Sequence, residues 1–150
     1  MYPGLGIDRA LAVWGAGNKC HFPCLVVDGG TALTFTGVSY DRTLVGGAIL
    51  PGLGLQLQSL ARHTAALPQV ALGLSLPDRW AISTPEAIVS GTIYTILAGV
   101  RDFLEDWLDR FPNSSIVFTG GDGKLLSELL GEKFPIIFDR HLIFWGMQMI

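Results

Sequence analysis

Three short segments carry the side chains that chemistry would need. Gly6-Ile7-Asp8-Arg9 sets an acid next to a base at the entry to a helical pattern, so Asp8 can accept a proton while Arg9 holds an anionic group through its bidentate fork. Ordinary capping of a helix N-terminus would use the same residues. Asp28-Gly29-Gly30-Thr31-Ala32 closes a β-branched run with a carboxylate, two residues free to take positive φ, and a hydroxyl. Such a turn places backbone N–H donors beside a phosphate, and the acid suits a cation. An Asp-Gly hairpin turn with no ligand has the same composition. Thr119-Gly120-Gly121-Asp122 puts small residues between a strand and a helix, where exposed N–H groups favour anionic or polar ligand groups; Asp122 as a plain helix cap explains it equally well.

Other chemistries lack their residues. Cys20-His21-Phe22-Pro23-Cys24 resembles part of a zinc site, but His63 and His141 do not supply the second pair of ligands at the required spacing, so zinc is rejected. Neither a Gly-x-Ser-x-Gly elbow nor a His-Glu-x-x-His helix occurs. Glu105, Asp106 and Asp109 read as the solvated face of a helix.

The elements that must position these segments follow from periodicity. Ile7, Ala10, Leu11 and Trp14 recur at helical spacing, and Gly15-Ala16-Gly17-Asn18 predicts the stop of that short helix. Cys24–Asp28, the alternating run from Leu33, and Leu44–Leu50 predict a three-stranded antiparallel meander closed by Pro51-Gly52. Leu53, Leu57, Leu60 and Ala61 mark a helix ending near His63, followed by a long irregular connection through Leu67-Pro68 and Pro77–Pro85. Thr84 is predicted as the N-cap, with Pro85 at the first position, of the longest helix, whose apolar spacing runs from Ile88 to Leu108. A strand at Ser115–Thr119, a helix over Lys124–Leu130, a strand at Ile136–Phe138 and a terminal helix complete the order. The two Gly-Gly turns do not make an internal repeat, because one lies in a hairpin and the other joins a strand to a helix. Residues 1–22 are expected to be a lead-in segment and residues 23–150 one domain.

Composition narrows the class. The 150 residues are 49% hydrophobic, enough for a packed core, and the net charge of -3 leaves no basic surplus for a nucleic acid. Glycine, 19 residues, gathers at 15–17, 29–30, 46–54 and 120–123, which points to tight turns of the kind that line ligand sites. Two closely spaced cysteines do not make a disulfide framework, so a reducing cytoplasm is expected. Neither a signal peptide nor an uncharged apolar run of about 18 residues is seen, so no membrane partner is expected. The apolar tail Leu142–Ile150 is expected to pack on its own core, with an interface as the alternative.

Read in order, Gly6-Ile7-Asp8-Arg9, Asp28–Ala32, Gly46-Gly47-Ala48-Ile49-Leu50-Pro51-Gly52, Thr64-Ala65-Ala66-Leu67-Pro68, Ser83-Thr84 and Thr119–Asp122 closely resemble the type III pantothenate kinases over nearly the whole chain. The resemblance implies the acetate and sugar kinase, Hsc70 and actin superfamily, with an α/β ribonuclease-H-like domain in which a three-stranded antiparallel meander is followed by α-β-α elements in a mixed sheet. It implies ATP-dependent phosphorylation of pantothenate to 4′-phosphopantothenate, the entry to coenzyme A synthesis, with Mg²⁺ and a monovalent cation, K⁺ or NH₄⁺, and a homodimer. By resemblance Asp8 takes the proton of the pantothenate hydroxyl, and Tyr2, Gly6, Ile7, Arg9 and Thr84 hold pantothenate. Asp28 is the monovalent-cation ligand, Thr31 with Gly29 and Gly30 meets the ATP phosphates, and Gly120 and Gly121 accommodate adenosine. Such kinases open with an Asp-x-Gly-Asn-Thr phosphate loop, which this sequence does not contain. The chain is therefore expected to be the C-terminal portion of a kinase, with little activity alone. A catalytically inert pantothenate-binding or dimerisation module, using the helix at 86–104 or the tail at 142–150, is the alternative, and a related kinase with another acceptor is a third reading.

Overall fold

A computed structural model describes residues 3–150. The chain runs α1 (Ile7–Lys19), β1 (Cys24–Gly29), β2 (Ala32–Val38), β3 (Leu44–Pro51), α2 (Leu53–His63), α3 (Thr84–Arg110), β4 (Ser115–Thr119), α4 (Gly123–Leu130), a 3-10 turn at Gly131–Lys133, β5 (Ile136–Phe138) and α5 (Leu142–Gln148). The strands form one mixed sheet in the order β3-β2-β1-β4-β5. β1 pairs antiparallel with β2, and β2 with β3, while β4 joins β1 in parallel and β5 joins β4 in parallel. This is the α/β, ribonuclease-H-like arrangement of a meander followed by α-β-α elements.

Alternation along the central strands divides the molecule into layers. Leu25 and Val27 of β1, Phe35 of β2 and Ile116 and Phe118 of β4 face α3 and α4, meeting Ile93, Val100, Leu104, Leu126 and Leu130 in the larger core. Cys24, Val26 and Val117 face the other way, onto Ala12, Val13 and Ala16 of α1 and Leu142 of α5. Both faces of β1 and β4 are buried, as their continuous apolar runs require. α3 is long and apolar enough to cross a membrane, yet Ile88, Ile93, Ile96, Val100, Leu104 and Trp107 are buried on one side of it, the pattern of a core helix.

The first helix does not stop at Gly15. It continues to Lys19, and Gly15 and Gly17 lie buried inside it. A Cβ on Gly15 would strike the backbone of Leu142 and lie 2.8 Å from the Gly146 nitrogen, a Cβ on Gly146 would strike the Leu11 carbonyl, and Gly17 accepts the Phe22 ring. Glycines that read as a breaker instead admit close neighbours, Gly15 the backbone of α5 and Gly17 the Phe22 ring. Lys19 Nζ, 2.5 Å from Asp139 Oδ2, and Trp145 Nε1, 3.1 Å from the same oxygen, fasten the far end of this pair. Ile7, taken as part of the apolar stripe, is 73% exposed; the buried face begins at Leu11. The longest helix starts one residue early, with Ser83 at the N-cap and its hydroxyl donating to Glu86 Oε2 at 3.2 Å.

Candidate active site

The two carboxylates meet at one end of the sheet. Because Cys24 and Val26 point toward α1, the same alternation turns Asp28 to that side, and α1 begins there with Asp8 in its first turn. Burial pushes the Asp28 carboxyl above its ordinary range, and the negative charge of Asp8 pushes it further. Neither carboxylate has a hydrogen-bonding partner among the described residues. Gly120, at φ +89°, makes room for them: a Cβ there would collide with Asp28 Oδ1 and come within 2.8 Å of Gly29. An acid held this way, half-buried and beside a second acid, lacks positive charge and suits a cation.

Arg9 leaves α1 in the other direction. Its Nε donates to Thr36 Oγ1 at 2.9 Å and its Nη2 to the Phe35 carbonyl at 3.0 Å, and Gly47 keeps β3 open to it, since a Cβ there would strike Nη2. These bonds fix how α1 enters the sheet, and with it where Asp8 stands.

On the far side of Asp28 a cleft of about 460 Å³ opens between the β1–β2 turn, the start of α2 and the β4–α4 turn, lined by Gly29, Gly30, Thr31, Gly54, Leu55, Gln58, Gly121 and Asp122. Close backbone approach builds it. The Asp122 N–H donates to the Gly29 carbonyl at 2.8 Å, and the Gly52 N–H to the Thr31 carbonyl at 2.8 Å. A Cβ on Gly52 would lie on the Gly30 and Thr31 carbonyls, so only glycine lets α2 start this near the turn. Gly29, Gly30, Thr31 and Gly121 therefore line one cleft, with Gly120 beside Asp28 at its edge.

Thr84 lies at the exposed start of α3 and makes no side-chain hydrogen bond among the described residues. Gly6 and Ile7 are exposed next to Asp8, and Tyr2 lies outside the described residues. Four lining residues were not among the site residues the sequence suggested: Gly54, Leu55, Gln58 and Asp122, the last read only as a helix cap. Gln58 carries no local motif; its place on α2 one turn beyond the Gly52–Gly54 approach was its one signal. Asp122 sits at the N-cap of α4 as expected, but its side chain makes no capping hydrogen bond. The cysteine-histidine segment is used structurally. His21 Nε2 is 2.7 Å from the Asn113 carbonyl and Nδ1 2.7 Å from Ser115 Oγ, while the Cys24 thiol is buried against the Val13 carbonyl and pushed up to about 12.

A sequence model of the type III pantothenate kinase family matches residues 2–106. Type III pantothenate kinases of Nostoc sp. and Synechocystis sp. are each 54% identical over the whole of this chain, and that of Gloeobacter violaceus is 44% identical over 97% of it. The chain spans about three fifths of their length, 57%, 60% and 63% respectively. Among solved structures, a Campylobacter jejuni protein described as a Baf family transcriptional activator superposes with a TM-score of 0.70 at 29% identity, over 99% of this chain and 64% of that one. The activator of 2-hydroxyisocaproyl-CoA dehydratase from Clostridium difficile, with bound ADPNP, shares the fold at a TM-score of 0.50 and 11% identity, over 93% of this chain and 63% of that one. With that family model matching more than half of its residues, the chain belongs to the type III pantothenate kinase family.

Proposed function

We propose that this chain carries the acceptor-activating and nucleotide-binding half of a pantothenate kinase, which transfers the γ-phosphoryl group of ATP to pantothenate in coenzyme A synthesis. The observation that carries the reading is the placement of Asp8 and Asp28 together at the edge of the glycine-lined cleft. Asp8, exposed at the first turn of α1, takes the proton of the primary hydroxyl as that oxygen forms its bond to the γ-phosphorus and the bond to the β-phosphate oxygen breaks, giving 4′-phosphopantothenate and ADP. Arg9, Gly6, Ile7 and Thr84, with Tyr2, hold pantothenate. The Gly29–Thr31 turn receives the phosphates and Gly120-Gly121 the adenosine. Asp28 binds K⁺ or NH₄⁺; its half-buried carboxylate beside Asp8, without a hydrogen-bonding partner among the described residues, fits a cation. Mg²⁺ bound with the ATP phosphates at the Gly29–Thr31 turn would neutralise charge on the transferred group.

The working unit is a cytoplasmic homodimer, with pantothenate and a second copy as its partners. Phe103 on α3 and Phe144 and Met147 on α5, all largely exposed, are the apolar surfaces offered to the second copy. Sedimentation of the chain and of Phe103→Asp and Phe144→Asp variants tests this: loss of the dimer in one variant identifies the face, and a monomeric parent chain contradicts it.

The test of the chemistry is ATP- and pantothenate-dependent formation of 4′-phosphopantothenate with Mg²⁺ and K⁺, by the chain alone and with a phosphate-loop domain supplied from a relative. Turnover that Asp8→Asn removes supports the proposal. Pantothenate binding without turnover in either case assigns the inert module, and turnover on a different alcohol or carboxylate assigns another acceptor.

A further inference from the structure

The cleft is lined by a carboxylate, Asp122, that neither the proton transfer nor the cation site uses. Asp122 is held by its backbone, its N–H on the Gly29 carbonyl and its own carbonyl accepting from Leu126 N–H at 3.0 Å. Its carboxylate makes no hydrogen bond, does not cap α4, and is raised above the ordinary range by burial alone. No charged neighbour contributes to that rise, and Asp122 does not contribute to that of Asp28. Gln58, across the same cleft on α2, also has a side-chain amide without a partner among the described residues. Both residues line the cleft, and neither polar end is fully buried.

These two side chains sort the parts of a nucleotide. A carboxylate repels phosphates, and no Lys or Arg lines the cleft to offset it. The phosphates must then lie toward Gly29–Thr31, and the portion against Asp122 must be neutral and rich in donors. A ribose diol meets that description: its hydroxyls donate to a carboxylate, as at dinucleotide sites where an acid reads the ribose, and an amide can accept from or donate to the same hydroxyls. We propose that Asp122, assisted by Gln58, binds the ribose hydroxyls of the nucleotide and makes the site selective for ribonucleotides with a free 2′,3′-diol. The proposal rests on the reading of this cleft as the nucleotide site and adds its sugar specificity.

The test is an NMR titration of the 150-residue chain, following backbone amides, with the Mg²⁺ complexes of ATP, 2′,3′-dideoxy-ATP and tripolyphosphate. ATP is expected to bind about tenfold or more tightly than the dideoxy nucleotide, the scale of one hydrogen bond to a charged group. Asp122→Ala should bring the two nucleotides to nearly equal affinity while tripolyphosphate binding stays the same or tightens, and Gln58→Leu should reduce the preference in the same sense. Asp122→Asn, close in shape, guards against a folding defect and should lose most of the preference. Retention of the ATP preference in Asp122→Ala, or equal weakening of all three ligands, would overturn the ribose assignment while shifts at Gly29–Thr31 and Gly121 kept the nucleotide site in place. ATP that moved none of those amides would overturn the nucleotide reading, and the sugar specificity with it.

Discussion

Asp28 makes the native state less stable at neutral pH. Its carboxyl is raised by burial and by Asp8, so the folded chain binds that proton more tightly than the unfolded chain does. The stability it contributes is present below the ordinary aspartate range, near 4, and is lost as pH rises through the raised value. Asp28→Asn is therefore expected to raise the Tm at pH 7 in cation-poor buffer, with the difference shrinking on acidification below the ordinary range. Added K⁺ should narrow the gap by stabilising the parent chain, because a ligand bound only to the folded state adds stability by mass action. Thermal melts across pH, with and without K⁺, check both; a lower Tm for Asp28→Asn at pH 7 would return Asp28 to a plain turn residue. Asp28, Gly29, Gly30 and Thr31 were legible because they are consecutive. Gln58 and Asp122 were not, because two residues 64 positions apart in the chain meet only after α2 and the β4–α4 turn have closed on the β1–β2 turn.

At the scale of elements, the same residue type acts in opposite ways according to what faces it. Gly15 lies in α1 against the backbone of α5, whereas Gly99 lies in α3 with nothing within 4 Å. Alanine improves helix propensity by about 1 kcal/mol at either position. At Gly99 that gain is unopposed, so Gly99→Ala should stabilise the chain by about 0.5–1 kcal/mol. At Gly15 the new Cβ meets backbone that cannot turn aside, and overpacking of about 1–3 kcal/mol should prevail. Urea unfolding of the two variants decides this, and a stabilised Gly15→Ala would contradict the close packing of α1 on α5. The strands and α2 to α4 were readable from apolar spacing with ends off by about a residue. The length of α1 was not, since a glycine that ends a helix and one that admits a neighbouring helix differ only in their tertiary partner.

For the molecule as a whole, the fold gathers its candidate site at one end of a sheet whose central strands are buried on both faces. The open ends of β1 and β4 carry Asp28 and the Gly120-Gly121 turn, α1 brings Asp8 to the same edge, and α2 closes the cleft through Gly52. Strand-end ligand sites are the rule in open sheets with parallel central strands. Asp28–Thr31 and Thr119–Asp122 were legible because each is a run of consecutive residues at the end of a strand that the sheet topology brings to this edge. Thr84, at the exposed start of α3, was legible as a helix start alone. Formation of 4′-phosphopantothenate from ATP and pantothenate, with a relative's phosphate-loop domain supplied, measures the central claim most directly. Turnover should fall about 10²–10⁴-fold in Asp8→Asn with the fold unchanged, the usual contribution of a positioned base; undiminished turnover in that variant would contradict the account.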